Sequence, residues 1–143
     1  MNRITYAFAI ALLTLMINSC ASKKEDHEHH DHQTGAGVWR EMDDFHMIMA
    51  ETFHPYMDSA NLEPAKTRAN ELLASAEQWE ASPLPKNVDS ESVKSSLREL
   101  KSQAATLVRS VQSGDDNAIG QHLTTLHDTF HAIQEKWYEA NLE

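Results

Sequence analysis

Apolar residues recur three or four positions apart over four stretches of the chain, and this spacing constrains the fold more than any other feature. Val38, Met42, Phe45, Met49, Phe53 and Tyr56 form the first stripe. Ala65, Ala69, Leu72, Ala76 and Trp79 form the second. Val93, Leu97, Leu100, Ala104, Leu107 and Val111 form the third, and Ile119, Leu123, Leu126, Phe130, Ile133 and Trp137 the fourth. Such spacing lays one apolar face along a helix. No segment alternates with period two over a strand's length. The breaks are chemically marked. Pro55 with "DSAN" ends or kinks the first helix, and Pro64 suits the first turn of the second. "SPLPKN" separates the second from the third, and Asp89 or Ser90 supplies a cap. Ser113-Gly114 closes the third helix, and Asp115 or Asp116 caps the fourth. Four helices of similar length with short links predict an all-α, up-down-up-down four-helix bundle over residues 38–143.

Residues before 38 have a different character. "KKEDHEHHDHQTGAG" is polar and lacks apolar periodicity, so residues 20–37 are expected to be a flexible linker. Ahead of it, Arg3 precedes an apolar run from Ala7 to Met16 that ends in small and polar residues. The run is shorter than the about 20 residues of a membrane-spanning helix, and it reads as a cleaved secretory signal over residues 1–19. That signal ends in "INSC", with Ile17 three before Cys20 and Ser19 directly before it. The arrangement resembles the lipobox of bacterial lipoproteins. The resemblance implies cleavage before Cys20 and a diacylglycerol-bearing N-terminus, hence a cell-envelope protein lipid-anchored to the outer membrane, facing the periplasm or the surface. Lys23 and Lys24 followed by Glu25 and Asp26 resemble the surface-export signals of some Gram-negative lipoproteins. Cys20 is the only cysteine, so no internal disulfide is possible.

Twelve basic and twenty-two acidic residues give a net charge of −10, which becomes −11 when Arg3 leaves with the signal. Such a chain suits cations and is a poor partner for nucleic acid or anionic lipid. Its nine histidines are the main chemical resource. His27, His29, His30 and His32 lie in the linker among acids. His46, His54, His122, His127 and His131 lie in the helices. On a helical wheel His46 sits within the first apolar stripe, flanked by Met42 and Met49. His127 and His131 share one flank of the fourth helix, beside the core seam, and His122 falls on the other shoulder. Antiparallel helices one and four, with Val38 level with Ala140, bring His46 beside His131 and His127 one turn away.

Neutral imidazole is a common ligand for zinc, copper and nickel. An i, i+4 pair offers two nitrogens on one helix face, and a facing helix supplies a third. The expected ligands are His46, His127 and His131, supported by Met42 or Met49. A thioether would favour Cu(I); carboxylates such as Asp128 or Glu51 would favour zinc. The linker histidines would serve as a low-affinity antenna. The expected role is sensing, buffering or delivery of the ion, alongside a metal efflux or uptake system.

Two other readings stay open. The architecture, with a methionine early in helix one and "TFHAIQEKWY" late in helix four, resembles the exported bundles of the cytochrome b562 and cytochrome c′ class. That resemblance implies Met42 and His131 as axial haem ligands, without covalent attachment because C-x-x-C-H is missing. Alternatively, His46 is a core-edge residue, the other two are solvated, and the protein is a non-catalytic interaction scaffold. No G-x-S-x-G, H-E-x-x-H or phosphate-binding glycine loop points to an enzyme.

Overall fold

The computed structural model describes residues 37–142. The signal, Cys20 and the histidines of the linker lie outside the described residues. Four helices account for nearly all of the rest: α1 (Arg40–Ser59), α2 (Glu63–Ala81), α3 (Glu91–Ser113) and α4 (Asp116–Ala140). Among the described residues there is no strand, and no helix is long and apolar enough to cross a membrane. Each helix packs on the next in chain order, and α1 closes the ring against α4. The expected four-helix bundle is therefore the observed one.

The sequence signals for the helix ends act largely as anticipated. Ser90 Oγ accepts the Val93 N–H at 3.3 Å, and Asp115 Oδ1 accepts the Ala118 N–H at 3.1 Å. Each satisfies one of the N–H groups that a helix start leaves without a partner. Gly114, at φ 74°, stops α3 in the left-handed region that glycine enters freely. One end differs from expectation. α1 begins at Arg40, so Val38 is off the helix and 74 % exposed, while Trp39 turns inward at 2 % exposed. α1 continues through Pro55 and ends at Ser59, within the "DSAN" break. Proline deletes only the bond to the carbonyl of Glu51, and the chain stays helical around it.

The interior is aromatic at one end and aliphatic elsewhere. Trp39 stands edge-on to Trp79 at 5.1 Å and lies 5.5 Å from Trp137. Phe45 bridges Trp79 and Phe130 at 5.7 and 5.6 Å. α2 contributes Ala65, Ala69 and Ala76, small buried residues that admit its neighbours closely. The buried hydroxyl of Thr52 is satisfied by the carbonyls of Ile48 and Met49, at 3.0 and 2.9 Å. Polar ties join the outside: Lys101 to Glu80 at 2.8 Å, Lys136 to the hydroxyls of Ser92 and Ser96, and Arg68 to Glu51. Such exposed pairs add little stability each, so burial carries the fold.

The backbones of α1 and α4 stand farther apart than those of the other neighbouring helices, with aromatic rings filling the space between them. Its register is fixed by facing pairs. Trp39 meets Trp137, Phe45 meets Phe130, and Phe53 meets His127. At its far end Tyr56 crosses Gly120, where an added Cβ would fall 2.6 Å from the Tyr56 hydroxyl. A glycine there lets the phenol lie on the α4 backbone.

Ala60 ends α1 at φ 54°, where its N–H reaches the Tyr56 carbonyl at 2.8 Å. A side chain is strained in this region. Ala60→Gly should stabilise the bundle by about 0.5–1 kcal/mol, the strain relief less the added freedom of the unfolded chain. Urea unfolding followed by circular dichroism would measure it, and a lower midpoint for the variant would refute the strain.

Candidate functional site

Four of the five helical histidines gather on the α1–α4 seam, two from each helix. His127 lies flat on the buried ring of Phe53, with centroids 3.7 Å apart and planes 15° from parallel. His46 stacks on Phe130 at 5.2 Å and 18°. The two stacks run in opposite directions, α4 onto α1 and α1 onto α4. The fifth histidine, His122, turns to the other side of α4, where its Nδ1 lies 2.7 Å from Ser110 Oγ on α3. That matches its place on the opposite shoulder of the wheel.

His127 and His131 are joined through their outer nitrogens, Nε2 to Nε2 at 3.0 Å. Their inner nitrogens are also occupied. His131 Nδ1 lies 3.0 Å from the Gln134 side-chain oxygen, and His127 Nδ1 lies 3.5 Å from a carboxylate oxygen of Asp128. The 3.0 Å contact is the length of an N–H···N hydrogen bond, in which one Nε2 donates and the other accepts according to the tautomers of the two rings. An oxygen behind Nδ1 is also the usual companion of a metal-bound histidine.

The surroundings hold the pair in place. Phe53 is buried at 7 % exposed and Phe130 is fully buried, so the surfaces beneath His127 and His46 are rigid. His131 stands edge-on to Phe130 at 5.3 Å and edge-on to His127 at 4.4 Å. It is exposed, and it opens onto a shallow groove lined by Asp128, Gln134, Glu135 and Tyr138.

Electrostatics bind the four histidines into one group. Burial first, and then the charge on His131, hold the His46 imidazole below its ordinary range; Asp43 one turn away offsets this in part, and His54 adds to it. For His127 burial again leads, followed by His131, with Asp128 opposing and His54 adding. His54, which is exposed, thus lies in electrical reach of both helices' histidines.

Met42 and Met49, expected in support, are core residues at 3 % and 1 % exposed. They occupy the inward side of α1, among the aromatic rings. His46 is beside the His127–His131 pair but not joined to it. Among the described residues no three His, Cys, Asp or Glu side chains stand close enough together to hold an ion as they are placed. Of the two residues expected as axial ligands in the haem reading, Met42 is packed within the core and His131 is on the exposed flank of α4. Gln134 and Phe53 are the participants that spacing alone did not single out. Gln134 is three residues after His131, a spacing that places it beside the ring on a helix. Phe53 was legible only as core.

No protein-family model, curated protein or solved structure matches the chain. Function is therefore argued from this seam and from the sequence.

The depressed protonation of His46 and His127 makes the bundle sensitive to acid. In the unfolded chain both rings regain their ordinary affinity, so between the native and ordinary values the unfolded chain binds more protons. Stability is complete above the ordinary histidine range and falls as pH drops through it. The urea midpoint should decline from about pH 7.5 to about pH 5. A His46→Gln, His127→Gln variant should show a shallower decline, and an unchanged slope would contradict the placement of these rings.

Proposed function

We propose that the protein is an exported, lipid-anchored lipoprotein whose helical domain binds a transition-metal ion, zinc or copper above all, for sensing, buffering or delivery. The observation that carries this reading is the meeting of two imidazole rings through their Nε2 atoms. His127 and His131 face each other through Nε2 at 3.0 Å while Gln134 and Asp128 occupy their Nδ1 atoms. The donor set suits a borderline metal: two imidazoles, His127 part-buried and His131 exposed, with side-chain oxygens behind them. His46 is the natural third ligand, because it lies on the facing helix within electrical reach of His131. It would join by a side-chain rotation off Phe130. Water would complete the shell.

The anchor rests on the sequence. A short apolar run followed by "INSC" supports lipidation at Cys20, and the strongly acidic mature chain supports a cation as cargo. The linker histidines His27, His29, His30 and His32 would gather ions at low affinity and raise their local concentration near the seam. A metal efflux or uptake system in the same envelope is the partner this chemistry would serve. Such a protein needs no catalytic group.

Binding at the seam has to be separated from binding by the linker. The full chain with His27, His29, His30 and His32 replaced by alanine should still bind close to one equivalent of zinc or copper by calorimetry and metal analysis. Adding His127→Ala and His131→Ala should abolish that equivalent while leaving the helical circular dichroism intact. Gln134→Ala should weaken binding by about 10–100-fold, the usual cost of losing an outer partner of a metal-bound histidine. Retention of full affinity without His127 and His131 would refute the site and leave these rings a structural, stacked role.

A further inference from the structure

Negative charge and exposed apolar surface are both concentrated on one half of the bundle. α1 and α4 together carry nine acidic and two basic residues, whereas α2 and α3 carry six of each. The large apolar side chains left in solvent follow the same division. Among the described residues they are Val38, Met47, Met57, Tyr138 and Leu142, all on α1, on α4 or at their ends. Single exposed apolar residues are ordinary, but their confinement to one side, beside a groove, marks a surface for contact.

We infer that the outer face of α4, from Asp128 to Leu142, docks a basic amphipathic helix of a partner protein. The inference does not rest on the metal-binding reading, since the docking needs no ion.

The groove along α4 gives this face its shape. Ala132, Tyr138 and Leu142 are its apolar part, with Tyr138 52 % and Leu142 85 % exposed. Asp128, Glu135 and Glu139 are its acids. At 3.6 residues per turn, all six fall within about a third of the helix circumference. The acids are also uncompensated. Among the described residues no Lys or Arg pairs with any of the three, and Asp128 has only the His127 ring beside it, at 3.5 Å. On and beside α2 and α3, by contrast, Lys66 holds Glu63, Arg68 holds Glu71, Lys101 holds Glu80 and Lys94 holds Asp89. The one basic residue of α4, Lys136, turns away to the hydroxyls of Ser92 and Ser96 on α3.

Such a face is complementary to a partner that brings cations and an apolar strip together. An amphipathic helix presents both, and a helix laid along a groove is a recurring mode of recognition. From Asp128 to Leu142 the face is about 21 Å long, enough for about fourteen helical residues of a partner. Charge argues against the other occupants. A second copy would bring the same acids to the contact. The chain's own residues 20–37 hold four acids against two lysines. Like charges placed opposite one another are costly, and anionic lipid is disfavoured for the same reason.

Two synthetic peptides of about fourteen residues, built from the same leucines and lysines, test this. One has them in amphipathic order, and the other is scrambled so that no helix face is apolar. Each is titrated into the nitrogen-15-labelled full chain with a chelator present. The amphipathic peptide should bind roughly tenfold more tightly than the scrambled one, and its shifts should centre on residues 128–142. Glu135→Lys with Glu139→Lys should weaken it roughly tenfold, as should Tyr138→Ser with Leu142→Ser, with helical circular dichroism unchanged. Asp44→Lys with Asp58→Lys, which reverse two exposed acids of α1, should leave binding as it was. Equal binding of the two peptides, failure of both to bind, or binding undiminished by either α4 variant would overturn the inference. So would a dimeric free chain that becomes monomeric with Tyr138→Ser and Leu142→Ser, because the face would then join two copies. Metal analysis of the same protein reads the metal site separately, so the two proposals can fail independently.

Discussion

The antiparallel register of α1 against α4 is the constraint on which the rest depends. It is set by rings packed across the seam. Trp39 with Trp137, Phe45 with Phe130 and Phe53 with His127 step along the two helices in opposite directions. Aromatic pairs of this kind bury large areas and add a preference for particular geometry. A slip of one residue would turn the rings away from one another and lift Tyr56 off Gly120, the one position where its phenol can lie against bare backbone. With the register fixed, His46 must lie beside Phe130 and His127 on Phe53. The histidine group is a consequence of core packing.

The same seam shows why a site forms at the edge of this bundle. The interior is filled by Trp39, Trp79, Trp137, Phe45, Phe53 and Phe130, with the methionines between them. The flank of α4 offers space, rigid aromatic floors and access to solvent. Burial and mutual repulsion keep His46 and His127 neutral near neutral pH. A metal ligand must be unprotonated, so the same burial of His46 and His127 would favour the proposed role.

Much of this was legible in the sequence. The four stripes fixed the helices, Ser90 and Asp115 marked two starts, and Gly114 marked an end. The wheel placed His127 and His131 on one flank and His122 on the other, and the alignment of Val38 with Ala140 brought His46 level with His131. The remainder was not legible, for identifiable reasons. Val38 and Trp39 exchange roles because the helix begins after them, and no capping side chain announces that start. Met42 and Met49 face inward because the core stripe claims them, so proximity on the chain to His46 did not put their sulfur beside it. The tautomers of His127 and His131 depend on how the side chains of Gln134 and Asp128 are turned, and a wheel carries no such information.

The central claim is that His127 and His131 act as one ligand pair through Nε2, and nitrogen-15 NMR of the imidazole rings tests it most directly. Above the pH at which histidines are protonated, one equivalent of zinc should shift the Nε2 signals of both rings together and leave each ring with hydrogen on Nδ1 alone. Unchanged Nε2 signals on either ring after zinc is added would contradict the account.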